Sequence, residues 1–99
     1  MTDQEINIAI AEACPGKFRR EDRPKQWAYW SDGAWRTCRD GSICADLNAM
    51  HSALTAQGQG FNDKFSINLD SRAKRLGKHV HQLIARDWAE EFILQFKRG

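Results

Sequence analysis

No apolar run in this chain approaches the roughly 18 residues that a membrane-spanning helix needs, so no span is expected. The opening residues, Met1-Thr-Asp-Gln-Glu5, are acidic and hold no apolar signal core. The expectation is therefore a cytoplasmic chain with no membrane partner. A strong charge of one sign is also missing. Fifteen bases against 13 acids leave +2, too even for a domain that tracks phosphates, so nucleic acid is not expected as a partner. Cysteine is sparse and odd in number, three in all, which points to free thiols in a reducing compartment. Five residues separate Cys38 from Cys44 and one separates His79 from His81. Zinc pairs are usually closer than the first spacing, and no metal is expected. No glycine loop cradles phosphate either, because Gly58-Gln-Gly60 does not follow a strand and open a helix. Carboxylates are scattered along helix faces, without an acid and base pair. Neither catalysis nor a cofactor is expected, and there is no repeat, low-complexity segment or second domain.

The strongest pattern present is Leu83 to Lys97. Ile84, Ala85, Trp88, Ala89, Phe92, Ile93 and Phe96 recur at helical steps. Arg86, Asp87, Glu90 and Glu91 fall on the other side, with acid early and base late, as the helix dipole prefers. A face with two Phe and a Trp needs a large cover, most simply a sheet. The 99 residues make one domain with a modest core. Four Trp must either fill that core or form a contact surface.

Thr2-Asp-Gln-Glu5 spells a capping box for a helix to about Ala13. Ile6, Ala9, Ile10 and Ala13 share one face of it and Ile8 points away. Pro15-Gly16 ends that helix. Lys17 to Lys25 is basic and lacks apolar period apart from Phe18, so it reads as a loop, either a solvated connector or an anion-binding arm. Gln26 to Cys38 reads as a hairpin turning at Asp32-Gly33, which pairs Trp30 with Trp35 and Tyr29 with Arg36. Rings on both faces suggest a hairpin covered on both sides. Ser42 is a candidate N-cap for a helix through Ile43, Leu47, Met50 and Leu54 to about Ala56. Phe65, Ile67 and Leu69 alternate with Lys64, Ser66 and Asn68, as in a strand. Ser71 to Gly77 fits a charged turn or a last helical turn, and Lys78 to Gln82 a short fourth strand. The expected fold is α+β: an antiparallel sheet of three or four strands between helices, in the order α-β-β-α-β-(β)-α.

One polar constellation stands out. Phe61, Asn62, Asp63 and Asn68 precede Arg72, Arg75, Lys78 and Arg86 around the entry to the last helix. It is either a polar loop beside a solvated face or a set suited to a phosphorylated small molecule. In the second case the ring stacks on a base, guanidinium pairs with phosphate, and amide and carboxylate take hydroxyls. The candidate ligand-binding residues are Phe61, Asn62, Asp63, Asn68, Arg72, Arg75 and Arg86.

Three stretches carry a family resemblance over nearly the whole chain. Ile6-Asn-Ile-Ala-Ile-Ala-Glu-Ala-Cys14 resembles the opening helix of small phage and prophage proteins with the phage ABA sandwich domain. Asp46-Leu-Asn-Ala-Met-His51 is similar to their most recognisable motif, and Ala85-Arg-Asp-Trp-Ala-Glu-Glu-Phe-Ile-Leu94 to their closing helix. The family often continues Gly-Trp where this chain has Pro15-Gly16 and its basic arm. The resemblance implies an αβα sandwich encoded by a phage. It makes the chain a candidate antagonist of bacterial immunity, by analogy with anti-Thoeris sponges that sequester cyclic ADP-ribose-type signals in an oligomer. A nucleotide ligand and a homo-oligomer are the partners implied. The alternatives are a protein inhibitor of a host defence complex, like an anti-CRISPR, and a nucleic-acid-binding accessory protein.

Overall fold

The structure, a computed structural model, describes residues 1–22 and 25–98. Arg23, counted in the basic arm, lies outside the described residues. Within them the chain is α+β: four α-helices and one three-stranded antiparallel sheet. The first helix, α1 (Asp3–Ala13), starts at the expected capping box. The Glu5 amide donates to Thr2 Oγ1 at 3.2 Å and the Thr2 amide to Glu5 Oε1 at 3.0 Å. Such a cap contributes about 1 kcal/mol. Ile6 and Ile10 are buried and Ile8 faces outward.

The basic arm is not a loop. Phe18–Asp22 forms β1, an edge strand paired with β2 (Lys25–Ser31), which pairs in turn with β3 (Ala34–Thr37). Charge hid this strand, because only Phe18 among its residues is apolar and buried. The other side chains act at the edge, where charge guards against stray pairing. Arg19 lies over the Trp35 ring at 4.6 Å and Arg20 over the Trp27 ring at 5.7 Å. Each cation–π contact contributes about 0.5–1 kcal/mol at an exposed site. The hairpin follows its expected register, with Tyr29 opposite Arg36 and Trp30 opposite Trp35. Asp32 and Gly33 both take positive φ, 50° and 77°, as a two-residue turn of matching twist requires. The two indoles meet edge to face, 5.4 Å apart. Phe18, Tyr29 and Cys38 form the sheet's inner face and join the core. The outer face keeps Trp30 38% exposed.

After β3 the chain makes two 3₁₀ turns, Arg39–Gly41 and Ile43–Ala45, before α2 (Leu47–Gln57). The helix expected from Ser42 therefore begins later, capped by Asp46. Two buried side chains fix that delay. Asn7 of α1 accepts from the Cys44 amide at 3.0 Å and donates to Ser42 Oγ at 2.9 Å. Asp46 accepts from the amides of Arg39, Asn48 and Ala49 at 2.7, 2.9 and 3.2 Å. Gly58, at φ 89° and ψ 176°, is the corner between α2 and α3 (Gln59–Arg75).

The strand expected around Phe65–Leu69 is the middle of α3. Alternation over five residues also fits a helical stripe, since Phe61, Phe65, Leu69 and Ala73 step by four. Phe65, Leu69 and Ala73 are buried while Ile67 is 67% exposed. Gly77 ends α3 in a Schellman arrangement. The Lys78 amide bonds to the Ala73 carbonyl at 2.9 Å and the Gly77 amide to that of Lys74 at 3.1 Å. The expected fourth strand is instead a 3₁₀ turn, Val80–Gln82. The resulting order is α-β-β-β-α-α-α.

The last helix, α4 (Ala85–Arg98), packs against α1, α2 and α3. Helices, rather than the sheet, cover its aromatic face. Phe92 is fully buried with its ring 5.1 Å from that of Phe61. Trp88 is only half-buried, between Phe65 at 5.6 Å and His51 at 5.1 Å. Ile84 and Phe96, assigned to the buried stripe, lie exposed at the helix ends. Glu91, assigned to the solvent side, is buried because α3 covers that flank as well. The sheet leans on α2 and on the turn at Arg39–Gly41.

Candidate functional site

The polar side of α2 forms the wall of a cleft against the hairpin. Asn48, His51, Ser52 and Thr55 recur at helical spacing, and all four border a cavity of about 630 Å³. Lys17, just before β1, and Arg36 of β3 bring cationic side chains from the sheet side. Tyr29, Trp30 and Asp32 also border the cavity. Among the described residues, no carboxylate is ion-paired with Lys17 or Arg36. Burial, with the nearby Asp46 charge, pushes the Tyr29 phenol up from its ordinary range, so it stays protonated and able to donate. The His51 ring meets that of Trp88 edge to face, 5.1 Å away. The cleft thus offers cations, hydroxyls, an amide and an imidazole around one opening.

A second cavity of about 860 Å³ lies on the other side of the α2 N-terminus. Its charges are mixed: Asp3, Asp40 and Asp46 face Arg39 and Arg86, with His81 beside them. Three of these six side chains, Asp3, Asp46 and Arg86, bond to one another or to the backbone. Asp46 caps α2, and Arg86 donates to Asp3, to the Met1 carbonyl at 2.8 Å and to Glu90 at 3.1 Å.

The residues singled out in the sequence lie along α3 and α4 and do not converge on one opening. Phe61 and Asn68 share a cavity of about 400 Å³ with Lys64, Gln95 and Arg98. Asn68 donates to Gln95 at 3.0 Å, and Gln95 donates to the Phe61 carbonyl at 2.7 Å. Asp63 is exposed and accepts from Gln59 at 2.7 Å. Asn62 is half-buried on the adjoining side of α3. Arg72 lies between Glu90 at 2.9 Å and Asp87 at 3.7 Å. Arg75 is exposed, 3.9 Å from Glu91, and Arg86 borders the second cavity. Arg72 and Arg86 therefore spend their charge on carboxylates of the chain itself.

Lys17, Arg36 and His51 were not chosen from sequence. The polar positions Asn48 and His51 were visible on α2. What sequence could not supply was β1, which brings Lys17 opposite them. Among the described residues, no group of three or more His, Cys, Asp or Glu gathers as metal ligands. His79 and His81 stack on each other, 5.4 Å apart. Cys14, Cys38 and Cys44 are buried free thiols. No described helix is long and apolar enough to cross a membrane. No family model matches the chain, and no curated protein or solved structure does.

Proposed function

We propose that this protein binds a nucleotide-type small molecule in the cleft between the hairpin and α2, and holds it without chemical change. One observation carries the reading: Lys17 and Arg36, unpaired with any carboxylate among the described residues, share an opening with His51 and the hydroxyls of α2. Phosphate pairs with such cations, and Asn48, Ser52 and Thr55 suit ribose hydroxyls and base edges. The cleft moves the binding site away from the arginines of α3 and α4 and keeps the ligand class.

The biological role follows the resemblance. Asn48 and His51 of the cleft belong to the motif Asp46–His51 that resembles phage ABA sandwich proteins. In this reading the protein is phage-encoded and sequesters a cyclic nucleotide immune signal, such as a cyclic ADP-ribose isomer, in the bacterial cytoplasm. Subunit association belongs to the same reading. Met1, Leu94 and Phe96 expose apolar surface along the junction of α1 and α4, a face that a second copy would cover.

The test is a thermal-shift panel of cyclic ADP-ribose isomers, cyclic oligonucleotides and mononucleotides. At a hundredfold excess over Kd a ligand adds about 2.7 kcal/mol. For a domain of this size that raises Tm by roughly 10 °C or more. A flat panel would reject the reading. Light scattering on the same samples reads the subunit count.

A further inference from the structure

The helices α1 and α4 lie side by side and run the same way. They start together, where Arg86 donates to Asp3 and to the Met1 carbonyl. They end together at a cavity of about 390 Å³ that Ala9, Glu12, Phe96 and Lys97 border. Beside this seam each helix turns one stripe of side chains away from the core. On α1 the stripe is Glu5, Ile8 and Glu12, and on α4 it is Glu90, Leu94 and Lys97, in both cases at helical steps. Ile8 is 39% exposed and Leu94 43%, so an uncovered aliphatic group stands at the centre of each stripe. The two stripes differ in charge. The α1 helix holds Asp3, Glu5 and Glu12 and no base, whereas α4 ends in Lys97 and Arg98. Glu90 is already matched by Arg72 and Arg86. Glu12 and Lys97 are exposed, and among the described residues neither forms an ion pair.

A two-fold axis in the interface can bring two copies of this face together in two ways. With the axis across the helices, α1 meets α1 of the second copy running the other way, and acids face acids. With the axis along the helices, α1 meets α4 of the second copy running the same way. Ile8 then comes level with Leu94 and Glu12 with Lys97, and symmetry makes each contact twice. Like charges across an interface cost affinity, and opposite ones fix its register. We propose that the protein is a two-fold dimer in which α1 of each copy lies parallel against α4 of the other, with Glu12 paired to Lys97 across the interface. The occupant of the face is a second copy because the acidic stripe and the basic helix end match each other. A partner of one sign would be repelled by one of them. The proposal rests on the subunit association read above and gives that association a geometry.

The experiment is sedimentation of the full chain with the charge reversed at either position. The parent should sediment as a dimer. Glu12→Lys and Lys97→Glu each turn two attractive pairs into repulsive ones, so each should weaken the dimer roughly tenfold or more. Mixed in equal amounts, the two variants should associate again, since each offers the other the opposite charge at both contacts. A pair formed inside one chain cannot give that rescue, because each variant carries like charges at its own two positions. Both side chains are exposed, so each variant should melt as a folded protein when dilute. A parent still monomeric at roughly 100 μM, far above a micromolar Kd, would remove the association itself. A dimeric parent indifferent to both reversals, or a mixture that stays monomeric, would overturn this packing and leave the association to another face.

Discussion

Arg72 and Arg86 share one carboxylate. Glu90 accepts from Arg72 at 2.9 Å through Oε2 and from Arg86 at 3.1 Å through Oε1. Arg86 continues to Asp3 and the Met1 carbonyl on the α1 side. Arg72 faces Asp87, whose other oxygen accepts from the Ile84 amide at 3.1 Å and so starts α4. The network therefore ties α1, α3 and α4 together at one end of the bundle.

Removing the shared acid should loosen that junction. Glu90→Ala leaves two guanidinium groups without their common partner. Because Glu90 is partly exposed, the expected loss is about 1–2 kcal/mol by urea unfolding, shrinking as salt is added. A stability equal to the parent's at low salt would make the network decorative.

The neighbouring acid should behave in the opposite way. Glu91 is 2% exposed, and its Oε2 has no hydrogen-bond partner among the described residues. The cation facing it, Arg75, stands 3.9 Å away and is itself exposed. A buried carboxylate so poorly satisfied costs stability, and an apolar group of similar volume is often better. Glu91→Met should raise stability by about 1–2 kcal/mol in urea. A loss of similar size would mean that the Arg75 pair holds α3 to α4.

Phe92, rather than Trp88, is the residue on which the core depends. Phe92→Ala should cost about 3–5 kcal/mol, a large part of the stability of a domain this small. The half-buried Trp88 should cost less when truncated. Urea midpoints of the two variants check the order, and the reverse order would misplace the centre of the core.

The thiols set an alkaline limit. Burial, and then the charge of Asp46, pushes Cys38 up from an ordinary 9.0 to about 12. Burial also raises Cys14 and Cys44. The unfolded chain thus loses these protons first as pH rises, and at Cys38 it holds fewer than the native state between about pH 9 and 12. The Cys38 contribution is full below about pH 9 and falls above it, by up to about 1.4 kcal/mol per pH unit, and Cys14 and Cys44 act in the same direction. Tm measured from pH 8 upward should show that decline, and Cys38→Ala should flatten it. A parent and variant of equal slope would remove Cys38 as a cause.

Local chemistry was legible where a few neighbouring residues decide the structure. Thr2 and Glu5 start α1 by bonding each other, and Asp32-Gly33 turns the hairpin because both can take positive φ. The helix 85–98 was readable from its apolar spacing, but its cover was not, since a Phe and Trp stripe does not say whether a sheet or other helices meet it. One strand was read where a helix stands and another was missed, for different reasons. Alternation across Phe65, Ile67 and Leu69 fits a strand and a helix equally until Phe61 and Ala73 are counted. β1 went unseen because its stability lies in partners across the sheet, Tyr29 and Trp27, which no local window contains. The cleft was hidden with it, as Lys17 meets α2 only through that strand. The arginines of α3 and α4 drew attention as phosphate ligands because their carboxylates are near in space or one helical turn away, and charge lists do not show such pairs.

Calorimetry with a cyclic ADP-ribose isomer on the parent, Arg36→Ala and Arg86→Ala tests the binding reading most directly. One charge-assisted contact is worth about 1.5–3 kcal/mol, so Arg36→Ala should weaken binding by roughly one to two decades. Arg86→Ala should bind within a few-fold of the parent, because Arg86 is occupied by Glu90 and Asp3. Loss of binding in Arg86→Ala with Arg36→Ala unaffected, or no heat from the parent at all, would contradict the cleft.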